Sequence, residues 1–181
     1  MKPITIEGLV FNNIEDQLPC INLDNWEIGG ELIIVNSTFS NIRNTRCIIT
    51  LTEIEIFSII VKSYQFNKNS IIKETLGAHF SGCGSSLLCQ NRRRLNVIEC
   101  NFKENLSESN GGAIYADADC IQINGCSFTS CSSDINEKDG IGGAIYLIGK
   151  ISNSKQEIFN TIFVNGSCLR NGGALSINCN C

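Results

Sequence analysis

A phenylalanine preceded by apolar residues five and seven positions earlier recurs six times along the chain. The copies are Ile4-Ile6-Phe11, Leu32-Ile34-Phe39, Ile59-Val61-Phe66, Leu95-Val97-Phe102, Ile121-Ile123-Phe128 and a last one, Ile158-Phe163, in which Gln156 fills the first slot. The phenylalanines are 28, 27, 36, 26 and 35 residues apart. A strand-like unit recurring about every thirty residues is the pattern of a solenoid. One such unit cannot stand alone. Ordering about thirty residues costs roughly 1–2 kcal/mol of backbone entropy each, whereas about eight inward side chains return roughly 1.5–3 kcal/mol each. The coils must therefore stack, which closes the hydrogen-bond ladder and covers both sides of every inward layer. Successive strands then lie about 4.8 Å apart.

The second half of the chain separates inside from outside. A Gly-Gly pair opens a strand at Gly111-Gly112-Ala113-Ile114-Tyr115, Gly142-Gly143-Ala144-Ile145-Tyr146 and Gly172-Gly173-Ala174-Leu175-Ser176. Alternate positions read Ile114, Ala116, Ala118, Cys120, then Ile145, Leu147, Gly149, Ile151, then Leu175, Ile177, Cys179, Cys181, all apolar or small. The intervening set, Tyr115, Asp117, Asp119, then Tyr146, Ile148, Lys150, then Ser176, Asn178, Asn180, is mostly polar. A period of two with one wet face is that of a half-buried strand. The apolar pair lies on a second short strand and the phenylalanine on a third, with Asn124-Gly125 marking a bend between them. The reading is an all-β chain with little or no helix, a single parallel β-helix of about five to six coils with three short strands per coil. One domain covers 1–181, regular from about 66 to 181 and less regular from 1 to 65. The glycine pairs read as corners rather than as a phosphate-binding loop, because a strand and not a helix follows them. Neither end reads as a polar cap, so further solenoid coils of a longer parent chain are expected as neighbours.

Composition narrows the function classes. An apolar fraction of 43% supports a core, and a net charge of −4 with only one basic run, Arg92-Arg93-Arg94, implies no nucleic-acid partner. No stretch approaches the roughly 20 apolar residues of a direct membrane span, and Met1 to Gly8 has no signal-peptide pattern. Eleven cysteines are present. Cys100 and Cys126 each sit two before a phenylalanine, so they stack in register; they are read as buried small hydrophobes or as a disulfide. Candidate glycosylation sites stand at Asn36, Asn105 and Asn165.

Gly-Gly-Ala-Ile at Gly111 to Ile114 and Gly142 to Ile145, with the variant Gly172 to Leu175, occurs together with Phe-x-x-Asn at Phe66 to Asn69 and Phe102 to Asn105. This combination resembles the repeat of the polymorphic membrane proteins, the chlamydial-type surface autotransporters. Cys131 and Gly166 hold the asparagine slot after Phe128 and Phe163, and the match runs from about Phe66 to Cys181. The resemblance implies a right-handed β-helix of the pectin-lyase-like kind, a surface adhesin located at the cell surface or outside the cell. Its expected partner is a host or neighbouring-cell surface protein or glycan.

Chemistry has few places to reside. His79 is the single histidine, and His79, Cys83 and Cys89 match no standard zinc spacing, so no metal or cofactor is implied. Asp117 and Asp119, outward on one strand with Tyr115 and Tyr146 beside them, are the candidate binding residues; the rings would stack on sugars. Three functions follow: a non-enzymatic structural or adhesive surface module, a polysaccharide lyase or hydrolase-like enzyme using Asp117 and Asp119, and an intracellular scaffold solenoid.

Overall fold

The computed structural model describes residues 4–16, 20–22, 31–44, 49–52, 58–63, 65–67, 69–71, 84–90, 94–133, 140–149 and 155–179. Among them the chain is all β, a parallel β-solenoid whose coils lie one over another. Strands Ile4–Glu7, Glu31–Val35, Ser58–Lys62, Arg94–Ile98, Cys120–Asn124 and Lys155–Phe159 carry the apolar pair and form one sheet in chain order. The phenylalanine sheet is Val10–Asn12, Thr38–Ser40, Gln65–Asn67, Asn101–Lys103, Ser127–Thr129 and Ile162–Val164. The glycine sheet holds Ile21–Asn22, Ile49–Thr52, Leu87–Gln90, Ile114–Asp117, Ile145–Gly149 and Leu175–Cys179.

The coil has a strand position beyond the three that alternation indicates. A further sheet of five two-residue strands, Leu106–Ser107 and Ser132–Ser133 among them, follows the phenylalanine sheet. Two residues cannot display a period of two, so this sheet leaves no alternation to find.

Register follows the repeat. Phe11, Phe39, Phe66, Phe102, Phe128 and Phe163 are Cα partners in succession. Their ring centroids lie 5.0, 5.3, 4.9, 4.6 and 5.1 Å apart, with planes within 12° of parallel. Phe39, Phe66, Phe102 and Phe128 are fully buried, whereas Phe11 and Phe163 pack against the core from partly open positions.

The fixed spacing has a backbone cause. Three residues before each phenylalanine the chain enters the left-handed region, at Gly8, Asn36, Ser63, Glu99, Gly125 and Asn160. Two residues after it does so again, at Asn13, Asn41, Glu104, Ser130 and Asn165. These two corners clip the phenylalanine strand to three residues. Asparagine fills several of them because its short amide tolerates this conformation better than most side chains.

Polar side chains tie the corners. Asn69 Nδ2 donates to the Phe39 carbonyl at 3.2 Å and Asn105 Nδ2 to the Phe66 carbonyl at 3.0 Å, each reaching the coil before. Cys131 repeats the contact, its Sγ 3.5 Å from the Phe102 carbonyl oxygen. The cysteine in the asparagine slot thus keeps the job with a weaker donor.

The glycine pairs are corners, as their following strands indicate. Gly142 has φ +70°, as its equivalents nearly do, and a side chain there would be strained. On Gly143 a Cβ would overlap the Gly173 carbonyl oxygen, and on Gly112 that of Gly143. The motif also extends one coil earlier than its intact copies, to Gly84-Ser85-Ser86-Leu87, where Leu87 pairs with Ile114 and Ser85 Oγ donates to the Gly112 carbonyl at 2.6 Å. Serine replaces two of the four motif residues there, which hides the copy. Ile114, Ala116 and Ala118 face the core as alternation requires. Cys120 does not: the chain bends at Asp119, a new strand starts, and Ile121 takes the inward phase, leaving Cys120 half-buried. Ile151 and Cys181 lie outside the described residues, as do Lys150 and Asn180.

Candidate functional site

The outer side of the glycine sheet carries the residues selected for binding. Asp117 ends the strand Ile114–Asp117 opposite Ile148, and both Asp117 and Asp119 are half-buried at the outer side. The backbone at Asp119 is held by the next coil, whose Lys155 N–H donates to the Asp119 carbonyl at 2.8 Å. Asp117 therefore closes its strand with an isoleucine as its in-register neighbour, whereas Asp119, two residues on, lies at the bend before the next strand, so the two carboxylates do not share one strand as the alternation implied.

Tyr115 and Tyr146 are in register with each other but are not free surfaces for a sugar. They are 5% and 9% exposed and form a small apolar cluster with Leu88, flanked by Ile141 and Ile148. Their ring centroids are 5.6 Å apart and tilted by 50°. A tyrosine column packed this way spends its faces on its own coil neighbours. The outward direction read from alternation is right, but outward here does not mean wet.

No disulfide joins Cys100 and Cys126: both side chains are buried, reduced thiols. The physical reason for cysteine at this slot lies in the corner. Ser37 Oγ, Cys100 Sγ, Cys126 Sγ and Thr161 Oγ1 occupy equivalent positions and lie 3.0, 3.2, 3.5 and 2.9 Å from the carbonyl oxygen two residues back. Each ties the left-handed corner before the phenylalanine, and the thiols stand in for hydroxyls. The Cys100 thiol hydrogen-bonded to Cys126 draws the Cys126 pKa below its ordinary value, against burial, which raises it. Burial pushes the Cys131 thiol up to about 11.

The glycosylation candidates divide. Asn36 and Asn165 are exposed left-handed corner residues. Asn105 is fully buried with its amide donated to the Phe66 carbonyl, so no glycan can be carried there in the folded chain. A sequence triplet reports residue types and not facing.

His79 and Cys83 lie outside the described residues, as do Arg92 and Arg93. Among the described residues, no three or more of His, Cys, Asp and Glu converge as metal ligands. Likewise, no helix among them is long and apolar enough to cross a membrane. The fold defines a class, the parallel β-solenoids. Beyond that class, comparison with known proteins finds no match: no family model fits the chain, and no curated protein or solved structure is significantly similar to it.

Proposed function

We propose that this chain is a non-enzymatic structural or adhesive module of a cell surface, similar to the solenoid repeats of the polymorphic membrane proteins, and that it offers its outer strand faces to a protein or glycan. The observation that supports this is the polar ladder on the outside of the coils. Asn36 Nδ2 donates to Glu7 Oε1 at 2.8 Å, Ser40 Oγ to Asn12 Oδ1 at 2.9 Å and Asn41 Nδ2 to Asn13 Oδ1 at 3.2 Å. Ser127 Oγ donates to Asn101 Oδ1 at 2.8 Å and Asn160 Nδ2 to Asn124 Oδ1 at 3.2 Å. Each bond joins one coil to the next in an exposed position. Exposed amides and hydroxyls held in this way lose little freedom when a partner arrives, which favours contact over chemistry.

The test is a polysaccharide and surface-protein panel read for binding and for new reducing ends or unsaturated products. Retention of a ligand without cleavage is expected. Turnover that disappears in Asp117→Ala or Asp119→Ala, with the fold intact, would move the assignment to a polysaccharide-cleaving enzyme. Mass spectrometry of the protein from its native source adds the location: glycans on Asn36 or Asn165 are expected of an exported chain, and free thiols without glycans favour an intracellular scaffold.

A further inference from the structure

We propose that Cys100 and Cys126 form a two-coordinate site for a soft monovalent metal ion, copper(I), held in line between two adjacent coils. Both cysteines sit two residues before a phenylalanine, and Phe102 and Phe128 are Cα partners. The Ser127 N–H donates to the Cys100 carbonyl at 3.0 Å, so the two slots lie one over the other. Each sulfur makes the same pair of contacts, shifted by one coil. Cys100 Sγ lies 3.2 Å from the Ile98 carbonyl oxygen and 3.5 Å from that of Val61; Cys126 Sγ lies 3.5 Å from the carbonyl oxygens of Asn124 and Val97. A contact set repeated by one coil step holds the sulfurs within one strand spacing, about 4.8 Å, of each other. A disulfide would need them at about 2.05 Å. Metal–thiolate bonds are roughly 2.3 Å long, so two of them in line span the coil step.

The fold does not require sulfur at this slot. Ser37 and Thr161 tie the same corner with oxygen, at 3.0 and 2.9 Å. Thiolates select soft ions such as copper(I) over magnesium or calcium. Two of them satisfy copper(I) in a linear geometry, whereas zinc asks for four ligands. Among the described residues no group of three or more ligating side chains converges here or elsewhere. Both thiols are buried, so water does not compete for the ion. On binding, each S–H bond is replaced by a metal–sulfur bond. Two protons leave, the ion enters, and neither sulfur nor copper changes oxidation state. The carbonyl oxygens of Val61, Val97, Ile98 and Asn124, which lie against the thiols, then face a cation. The hydrogen bond from Cys100 already draws the Cys126 pKa below its ordinary value, which eases loss of the first proton.

The experiment titrates copper(I), without oxygen, into the reduced 181-residue chain against bicinchoninate, a coloured copper(I) chelator. The chain has eleven cysteines, so the readout is the difference between parent and variants. The variants are Cys100→Ser and Cys126→Ser, the exchange that the coil at Ser37 already makes, with Cys131→Ser as the control; melting temperatures without metal serve as the folding check. Each of the first two is expected to lose one tightly held equivalent of copper(I), and the control to keep it. One equivalent is expected to raise the melting temperature of the parent and of the control but not of the other two. X-ray absorption at the copper edge is expected to show two sulfur neighbours in line around the first equivalent in the parent. Equal copper(I) stoichiometry in the parent and in Cys100→Ser or Cys126→Ser overturns the proposal, as does loss of the same equivalent in the control. Three or more sulfur neighbours around the first equivalent in the parent overturn it as well, whether or not the variants fold.

Discussion

The two coils that begin at Arg94 and at Cys120 and the coil that begins at Lys155 are made of the same parts: an apolar strand, a left-handed corner, a phenylalanine strand and a second left-handed corner. Their environments differ. Phe102 and Phe128 are sealed, while Phe163 is only partly covered; Leu147 is fully buried, yet its column partner Ile177 is 45% exposed. The motif therefore fixes direction, and burial is conferred by the coils above and below. Stability in such a stack is a sum of neighbour terms more than a property of any one coil.

Phenylalanine truncation is the strongest way to break this comparison. Phe128→Ala leaves a cavity between two stacked rings and is expected to cost about 3–5 kcal/mol in chemical denaturation. Phe163→Ala, with a ring on one side only among the described residues, is expected to cost about half as much. Equal losses would mean that neighbouring coils do not set the energy. A glycine pair sharpens the same point. In Gly143→Ala the new Cβ meets the Gly173 carbonyl and must push two coils apart, a strain of about 1–3 kcal/mol. Gly173→Ala meets nothing nearer than the Gly166 carbonyl at 3.6 Å, so its melting temperature is expected to hold.

How far the sequence reveals these differences depends on what each residue reports. The phenylalanine columns are legible because one large side chain at a fixed offset from an apolar pair has a single geometric reading. Inward and outward assignments on the glycine strands are legible up to Asp119, where a bend resets the phase and puts Cys120 off the core. Burial on the outer side is not legible. Tyr115 and Tyr146 alternate like wet residues but cover one another, and Asn105 sits in a glycosylation triplet while bonded inside the coil. Facing and cover depend on register between coils thirty residues apart. The candidate site is the least legible part: of Asp117, Asp119, Tyr115 and Tyr146, the carboxylates stay at the surface and the tyrosines do not.

Two smaller effects separate inner coils from outer ones. Cys131, in an inner coil, has its pKa raised from 9.0 to about 11 by burial. The folded state thus prefers the neutral thiol: its contribution is intact below pH 9 and is lost as the pH rises toward 11. Cys131→Ser keeps a donor for the Phe102 carbonyl without titrating in this range. Its stability is expected to fall less between pH 9 and 11 than that of the parent, by about 1–2 kcal/mol. Ser86 fills the slot that alanine holds at Ala113, Ala144 and Ala174, and its buried Oγ has no hydrogen-bond partner among the described residues. Ser86→Ala is expected to raise stability by about 1 kcal/mol, read as a shift in denaturation midpoint.

The phenylalanine ladder itself is open to direct measurement by nuclear Overhauser spectroscopy on chain labelled only at phenylalanine rings. Cross-peaks are predicted between Phe102 and Phe128, whose centroids are 4.6 Å apart, and between each further neighbour in the order 11, 39, 66, 102, 128, 163. Absence of the Phe102–Phe128 peak, or a peak joining Phe102 directly to Phe163, would contradict the stacked solenoid.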